Sequence, residues 1–235
     1  MLRNLFHRNK SLLDSGVLKG MTDRHSHVLF GVDDGISTLE DSLAVLAFLE
    51  EQGVSELWCT PHIMEEVPNE TSALRKRFAA LCDAYNGNIK LNLGAEYMID
   101  MLFEKRLEAG DLIVGEDGFL MLETYSNNPF HNIFDIFRKV RDMGYKPLFA
   151  HPERYRYLDE TAYGELRGIG VEFQLNLPSL TGFYGDTVKE KACKLLEKGW
   201  YSYMGSDCHR LSVLKHQYEK NVISKEIALW LSGLK

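Results

Sequence analysis

The chain has 235 residues, 45% of them hydrophobic, and a net charge of -7 at neutral pH. That length suits a single α/β domain with a sizeable core, and the acidic balance excludes a broad surface for neutralising nucleic-acid phosphates while leaving room for a small cationic pocket. The four cysteines, Cys59, Cys82, Cys193 and Cys208, show no C-x-x-C pair and no secretory spacing, which fits reduced thiols in a cytoplasmic protein.

The basic segment 1–10 leads only to Leu12, Leu13, Val17 and Leu18, interrupted by Asp14 and Gly16. This is too short and too polar for a signal peptide or a membrane span. Residues 1–19 read as an extension and 20–235 as the folded domain. The first strand then carries Asp23-Arg24-His25-Ser26-His27. Side chains two apart on a strand share a face, so His25 and His27 can hold one ion. Such a pair alone is a weak signal.

Asp33-Asp34-Gly35 reads as a turn, and Ser37 or Thr38 caps a helix that runs to Gly53. The apolar run 54–60 is a buried strand ended by Pro61-His62, because proline removes a ladder donor. A helix over 71–85 stops at Asn86-Gly87, and a strand over 89–95 delivers Glu96. A short helix over 100–109 precedes the apolar strand 119–122, which ends in Glu123. A carboxylate at that position needs a partner.

The segment 132–143 is an amphipathic helix with Ile133, Ile136, Phe137 and Val140 on one face. The strand 147–150 ends in His151-Pro152-Glu153-Arg154. A helix over 158–169, a strand over 171–177 reaching Asn176, a helix over 187–198 and a strand over 200–205 complete the series, before Ser206-Asp207-Cys208-His209. Strand and helix thus alternate about seven times, which predicts a parallel sheet. An open sheet would concentrate its site at one switch point. Here polar residues follow almost every strand, so a closed, distorted (β/α)7 barrel of the TIM type is expected, with its site at the C-terminal strand ends.

Taken together, His25-x-His27, Asp33-Asp34-Gly35, Thr60-Pro61-His62, Gly94-Ala95-Glu96, Leu122-Glu123, His151-Pro152-Glu153-Arg154 and Ser206-Asp207-x-His209 resemble the polymerase and histidinol phosphatase superfamily. Within it they are most similar to bacterial capsule-type protein-tyrosine phosphatases, over about residues 21 to 210. The resemblance implies three divalent ions, manganese first and iron, zinc or magnesium as substitutes. It places one on His25, His27, Glu96 and Asp207, one on Glu96, Glu123 and His151, and one on Asp34, His62 and His209. Asp33 serves the turn or backs a ligand.

Imidazoles and carboxylates without a thiolate suit such ions. Three divalent ions against four carboxylates leave an excess of positive charge that a phosphoester dianion would balance. A single one of these residues could simply cap a strand, but so many ionisable groups at one barrel mouth need cations. The ions would acidify a bridging water and hold the phosphoryl oxygens for in-line attack. Arg154 resembles the family's catalytic arginine, and Arg210, with Lys215 as its substitute, stands near the place of the second one, in a different register.

The implied substrate is phosphotyrosine in a protein, the partner a bacterial tyrosine kinase that controls capsular or extracellular polysaccharide export, and self-association is open. Tyr125, Tyr155 and Tyr157 could stack on a phenyl ring or merely pack their loops. No cysteine has an arginine six residues on and no G-x-S-x-G elbow occurs, which excludes cysteine-dependent phosphatases and disfavours serine hydrolases. A small-molecule phosphatase of the histidinol-phosphate kind and a catalytically vestigial metal-binding regulatory module are the alternatives.

Overall fold

In a computed structural model, which describes residues 9–127, 129 and 132–234, every strand pairing is parallel and follows chain order. A short helix, α1 (Leu12–Ser15), precedes β1 (Thr22–Ser26), α2 (Leu39–Glu51), β2 (Glu56–Cys59), β3 (His62–Ile63) and α3 (Thr71–Ala84). Then come β4 (Lys90–Leu93), β5 (Glu96–Met98), α4 (Met101–Ala109), β6 (Phe119–Glu123), α5 (Ile133–Asp142) and β7 (Lys146–Ala150). A 3-10 turn (Pro152–Arg154) leads to α6 (Glu160–Gly168), β8 (Glu172–Asn176), α7 (Leu177–Leu180), α8 (Asp186–Glu197), β9 (Tyr203–Gly205), α9 (Leu211–Tyr218) and α10 (Lys225–Leu231).

Two strands are each broken once. Pro61 cannot donate to a ladder, so β2 ends and the chain resumes as β3; likewise β4 resumes as β5 after Gly94-Ala95. Residues below the breaks form the sheet β1-β2-β4, and residues above them join the sheet β3-β5-β6-β7-β8-β9. The ring closes where β1 meets the end of β9: Asp207 N donates to His25 O at 2.8 Å and His27 N to Cys208 O at 3.1 Å. The expected seven-staved barrel is present, and its distortion has a cause. Among the described residues β6 pairs with β5 but not with β4, so the barrel is open low down on that side. The Trp58 ring stands beside that gap, with the Arg24 guanidinium 3.8 Å from its centroid and paired to Asp117.

Leu57, Ile63, Leu120, Phe149, Phe173 and Leu175 are wholly or almost wholly buried and belong to one continuous core. The core reaches further towards the N-terminus than the sequence implies. Leu12 and Leu18 are buried in it, and Lys10 exchanges backbone hydrogen bonds with Ile223. Residues from 10 onward are therefore tied to the barrel instead of extending from it, while 1–8 lie outside the described residues. The tail after His209, unassigned from sequence, forms α9 and α10. Among the described residues no helix is long and apolar enough to cross a membrane.

Candidate metal centre

All nine residues expected to ligate ions meet at the C-terminal mouth of the barrel, in four overlapping groups of potential ligand atoms. β1 carries His25, and a shifted register beside β2 lets His27, one residue past its end, turn to the same point. β3 opens on His62 and β5 on Glu96, directly paired in the ladder, so the two strand breaks are what set these side chains at the mouth. β6 ends on Glu123, β7 is followed by His151, and β9 by Asp207 and His209.

Two of these residues are held in strained backbone. His151 and Asp207, at φ of 34° and 49°, are the non-glycine residues with positive φ among those described. Such conformations cost of order 1–3 kcal/mol each and concentrate at functional sites.

The hydrogen bonds behind the ligands fix their tautomers. Gln174 spends its amide nitrogen on Leu175 O, so the oxygen that meets His25 Nδ1 at 2.9 Å must accept. Asp33 accepts from His27 Nδ1 at 2.8 Å, and also from His62 N and Gly35 N. With both Nδ1 atoms donating, the two neutral rings keep their lone pairs on Nε2, and these nitrogens face each other 3.1 Å apart. Glu96 Oε2 lies 3.2 and 3.3 Å from them and Asp207 Oδ1 3.5 and 3.4 Å. Such a set of acceptors is stable only around a cation or added protons.

Neighbouring groups repeat the pattern. His62 Nδ1 is 3.1 Å from both Glu96 and Glu123, yet it and Glu123 Oε1 are buried without a hydrogen-bond partner. His151 Nε2 meets Glu96 Oε1 at 2.8 Å. His209 Nδ1 meets the Asp207 carbonyl at 3.0 Å, leaving Nε2 3.4 Å from the exposed Asp34.

Without ions the acids draw protons onto the rings. Burial depresses the His62 pKa, but the charge of Glu96 and the closeness of the Glu123 and Glu96 carboxylates push it up to about 10. Burial likewise opposes protonation of His27, and the bonds to Asp207, Asp33 and Glu96 override it, holding its pKa well above the usual value. Glu96 and Asp207, although burial raises them, are driven well below the carboxylate range by the surrounding imidazoles. Burial and the Glu96 charge push Glu123 up. The donor set, its orphaned atoms and its hunger for protons fit divalent cations.

Arg154 reaches the site. Its Nη1 donates to Asp207 Oδ2 at 3.2 Å, and its guanidinium lies 4.6 Å from the Tyr184 ring centroid. Among the described residues it is the one arginine or lysine lining the cleft of about 420 Å³ over the cluster. Arg210 is exposed and caps α9, on the rim of adjoining pockets, and the Lys215 ammonium sits over the Phe48 ring instead.

Of the three tyrosines weighed as ring platforms, Tyr155 is buried and stacks on Phe149, Tyr157 packs against the core, and Tyr125 lines the cleft. The cysteines are all free, with Cys59 and Cys208 buried and their thiols pushed far up by burial, so they offer no nucleophile.

Apart from Asp33, which backs His27 and also holds the turn, sequence reasoning missed the layer behind the ligands. Asn176 Nδ2 at 2.6 Å and the Tyr184 hydroxyl at 3.1 Å both donate to Asp207 Oδ2, leaving Oδ1 for the cluster. Gln174 and Asn176 carry a usable signal, being polar residues inside an otherwise buried strand. Tyr184, on the turn after α7, carries none.

A parallel β/α barrel whose mouth gathers five imidazoles and four carboxylates in overlapping groups that could hold metal ions defines a barrel protein with a candidate metal centre. The chain belongs to the CpsB/CapC family of capsular polysaccharide synthesis, which it matches over residues 21–222. It is similar to the tyrosine-protein phosphatase CpsB of Streptococcus pneumoniae, 29% identical over 205 residues, spanning 81% of this chain and 84% of that one. Tyrosine-protein phosphatase YwqE of Bacillus subtilis is 27% identical over 198 residues, 81% of this chain and 78% of its own. A solved structure from work on YwqE and CpsB, described as metal-dependent tyrosine phosphatases, matches with a TM-score of 0.77 at 25% identity, covering 90% of this chain and 85% of that one.

Proposed function

We propose that the chain is a metal-dependent protein-tyrosine phosphatase whose substrate is a phosphorylated bacterial tyrosine kinase controlling capsular or extracellular polysaccharide synthesis. The observation that carries this reading is the facing pair of His25 and His27 Nε2 atoms, locked as acceptors by Gln174 and Asp33 between two carboxylates. One ion is assigned to His25, His27, Glu96 and Asp207, a second to Glu96, Glu123 and His151, and a third to Asp34, His62 and His209; manganese suits this donor set, as do iron, zinc and magnesium.

Bound divalent ions supply an acidified water as the nucleophile and positive charge for the phosphoryl oxygens. The chain's own contribution is positional. Asp33 and Gln174 hold two imidazoles in the ligating tautomer, and Asn176 and Tyr184 hold Asp207. Arg154, braced by Asp207 and Tyr184, offers its remaining N–H groups to the equatorial phosphoryl oxygens, where a planar guanidinium matches the growing charge. A phenol with a pKa of about 10 leaves without a strong general acid, and the site needs none.

The test is hydrolysis of an aryl phosphate and of a phosphotyrosine peptide by protein loaded with Mn²⁺, alongside metal content by mass spectrometry. Turnover that EDTA abolishes and His151→Ala reduces at least a hundredfold is expected. Metal uptake with no hydrolysis of any phosphoester would instead establish a binding module, and a preference for alkyl phosphates over phosphotyrosine a small-molecule phosphatase.

A further inference from the structure

Beside the cleft lies a second concavity of about 230 Å³ that shares Asp34, Asp207, His209 and Tyr184 with it. Away from those shared residues its walls are mainly apolar, with Pro178 and Phe183 on one side and Val213 and Leu214 of α9 on the other, while Ser206, Gln217 and the exposed Arg210 also line it. Phe183 is 46% exposed although it packs edge-on to Tyr184, with ring centroids 4.9 Å apart. With Pro178, Val213 and Leu214 it makes a contiguous apolar lining beside a charged centre, the combination of apolar walls and a few placed polar groups that ligand pockets show. Tyr184 lines both spaces, with the Arg154 guanidinium against its ring.

We propose that this slot seats the aromatic ring of the substrate, a deepening that rests on the phosphotyrosine reading above. A phosphoester held at the ion cluster under Arg154 has its leaving group beside the shared His209 and Asp34, where the polar floor gives way to the apolar walls. An aryl group there lies between Phe183 and Val213, and its ring can meet Phe183 edge to face. An alkyl phosphate leaves those walls uncovered. The slot thus acts as the specificity determinant for aryl over alkyl monoesters, independently of leaving-group chemistry. The competing seat is Tyr125 in the wall of the first cleft, whose hydroxyl pKa is raised by burial and by the negative charges of Glu66, Asp100, Glu65 and Glu123.

Two non-hydrolysable probes separate binding from leaving-group effects: benzylphosphonate and methylphosphonate, titrated calorimetrically into the Mn²⁺-loaded protein. Wild type binds the benzyl compound more tightly. Phe183→Ala and Val213→Ser weaken the benzyl compound about tenfold, the loss of roughly one aromatic contact, and leave methylphosphonate unchanged. Thermal unfolding of each variant beside wild type checks that it folds. The proposal is overturned if wild type binds both probes equally, if the slot variants weaken both alike or neither, or if Tyr125→Ala removes the benzyl preference instead. If wild type binds neither probe and hydrolyses no aryl phosphate, it is the phosphatase reading itself that fails.

Discussion

Asp33 ligates nothing in the proposed set, yet its carboxylate decides whether His27 can. It accepts from His27 Nδ1 at 2.8 Å, from His62 N at 3.0 Å and from Gly35 N at 2.9 Å. Asp33→Asn keeps one oxygen for three donors and removes the charge. A hydrogen bond to a charged acceptor contributes about 1.5–3 kcal/mol against about 1 for a neutral one, so the change costs about 1.4 kcal/mol, a factor of about ten in ion affinity. Asp33→Ala frees His27 to carry its proton on Nε2, pointing at the ion, and leaves two backbone N–H groups without an acceptor. Its loss is expected near a hundredfold, the upper end for residues that orient ligands. Calorimetric titration of Mn²⁺ into EDTA-stripped protein measures both, with thermal unfolding in EDTA confirming that the variants fold. Equal affinities and equal numbers of ions in wild type, Asn and Ala would refute the argument that the Asp33 bond sets the tautomer.

Tyr184→Phe keeps the ring against Arg154 and loses the bond to Asp207, whereas Tyr184→Leu loses both; a few-fold fall in kcat is expected for Phe and a further rise of about tenfold in KM for Leu, read from steady-state kinetics. Asp23, buried with Oδ2 unpartnered, has its pKa raised from 3.8 to about 6, chiefly by burial. An acid raised on folding gives stability that is full below 3.8 and lost as pH rises through about 6, so Asp23→Asn should gain up to ~3 kcal/mol at neutral pH and nothing near pH 4; urea titrations at both pH values check this. His62 has the same pH slope in a higher window. With its pKa moved from 6.5 to about 10 without ions, its pairing stabilises fully below 6.5 and is lost as pH rises through about 10. EDTA-treated protein should therefore lose thermal stability over that window, while the extra stability given by Mn²⁺ grows with pH because ions displace protons.

The barrel was legible because almost every strand is closed by an imidazole or carboxylate, and such groups are tolerable only where strands converge. Register was less legible. The breaks at Pro61 and at Gly94-Ala95 leave β3 and β5 only two and three residues long, too short for any periodicity, yet they present His62 and Glu96. Tyr155 reads as a mouth residue until the 3-10 turn Pro152–Arg154 rotates it inward onto Phe149. The segment from Leu12 to Leu18 holds too few apolar residues to declare itself; its burial depends on the pairing of Lys10 with Ile223, more than two hundred positions away.

The same long range explains why the residues behind the ligands escape a linear reading. Asp207 Oδ2 takes donors from Arg154, Asn176 and Tyr184, which lie respectively in the 3-10 turn after β7, at the end of β8 and on the turn between α7 and α8. A second basic residue, expected just after His209, stands exposed at the start of α9 on the rim of the adjoining pockets, so in the proposed mechanism Arg154 is the guanidinium that meets the phosphoryl group from the wall of the cleft itself. A lone guanidinium on a flexible stem loses more conformational freedom on binding than a braced one. Tyr184 and Asp207 fix it beforehand, at the cost of pairing it with an acid. That trade predicts weaker ground-state binding of phosphate than two arginines would give, and it makes the Tyr184 variants, more than any change at Arg210, the decisive probe of how this chain holds its substrate.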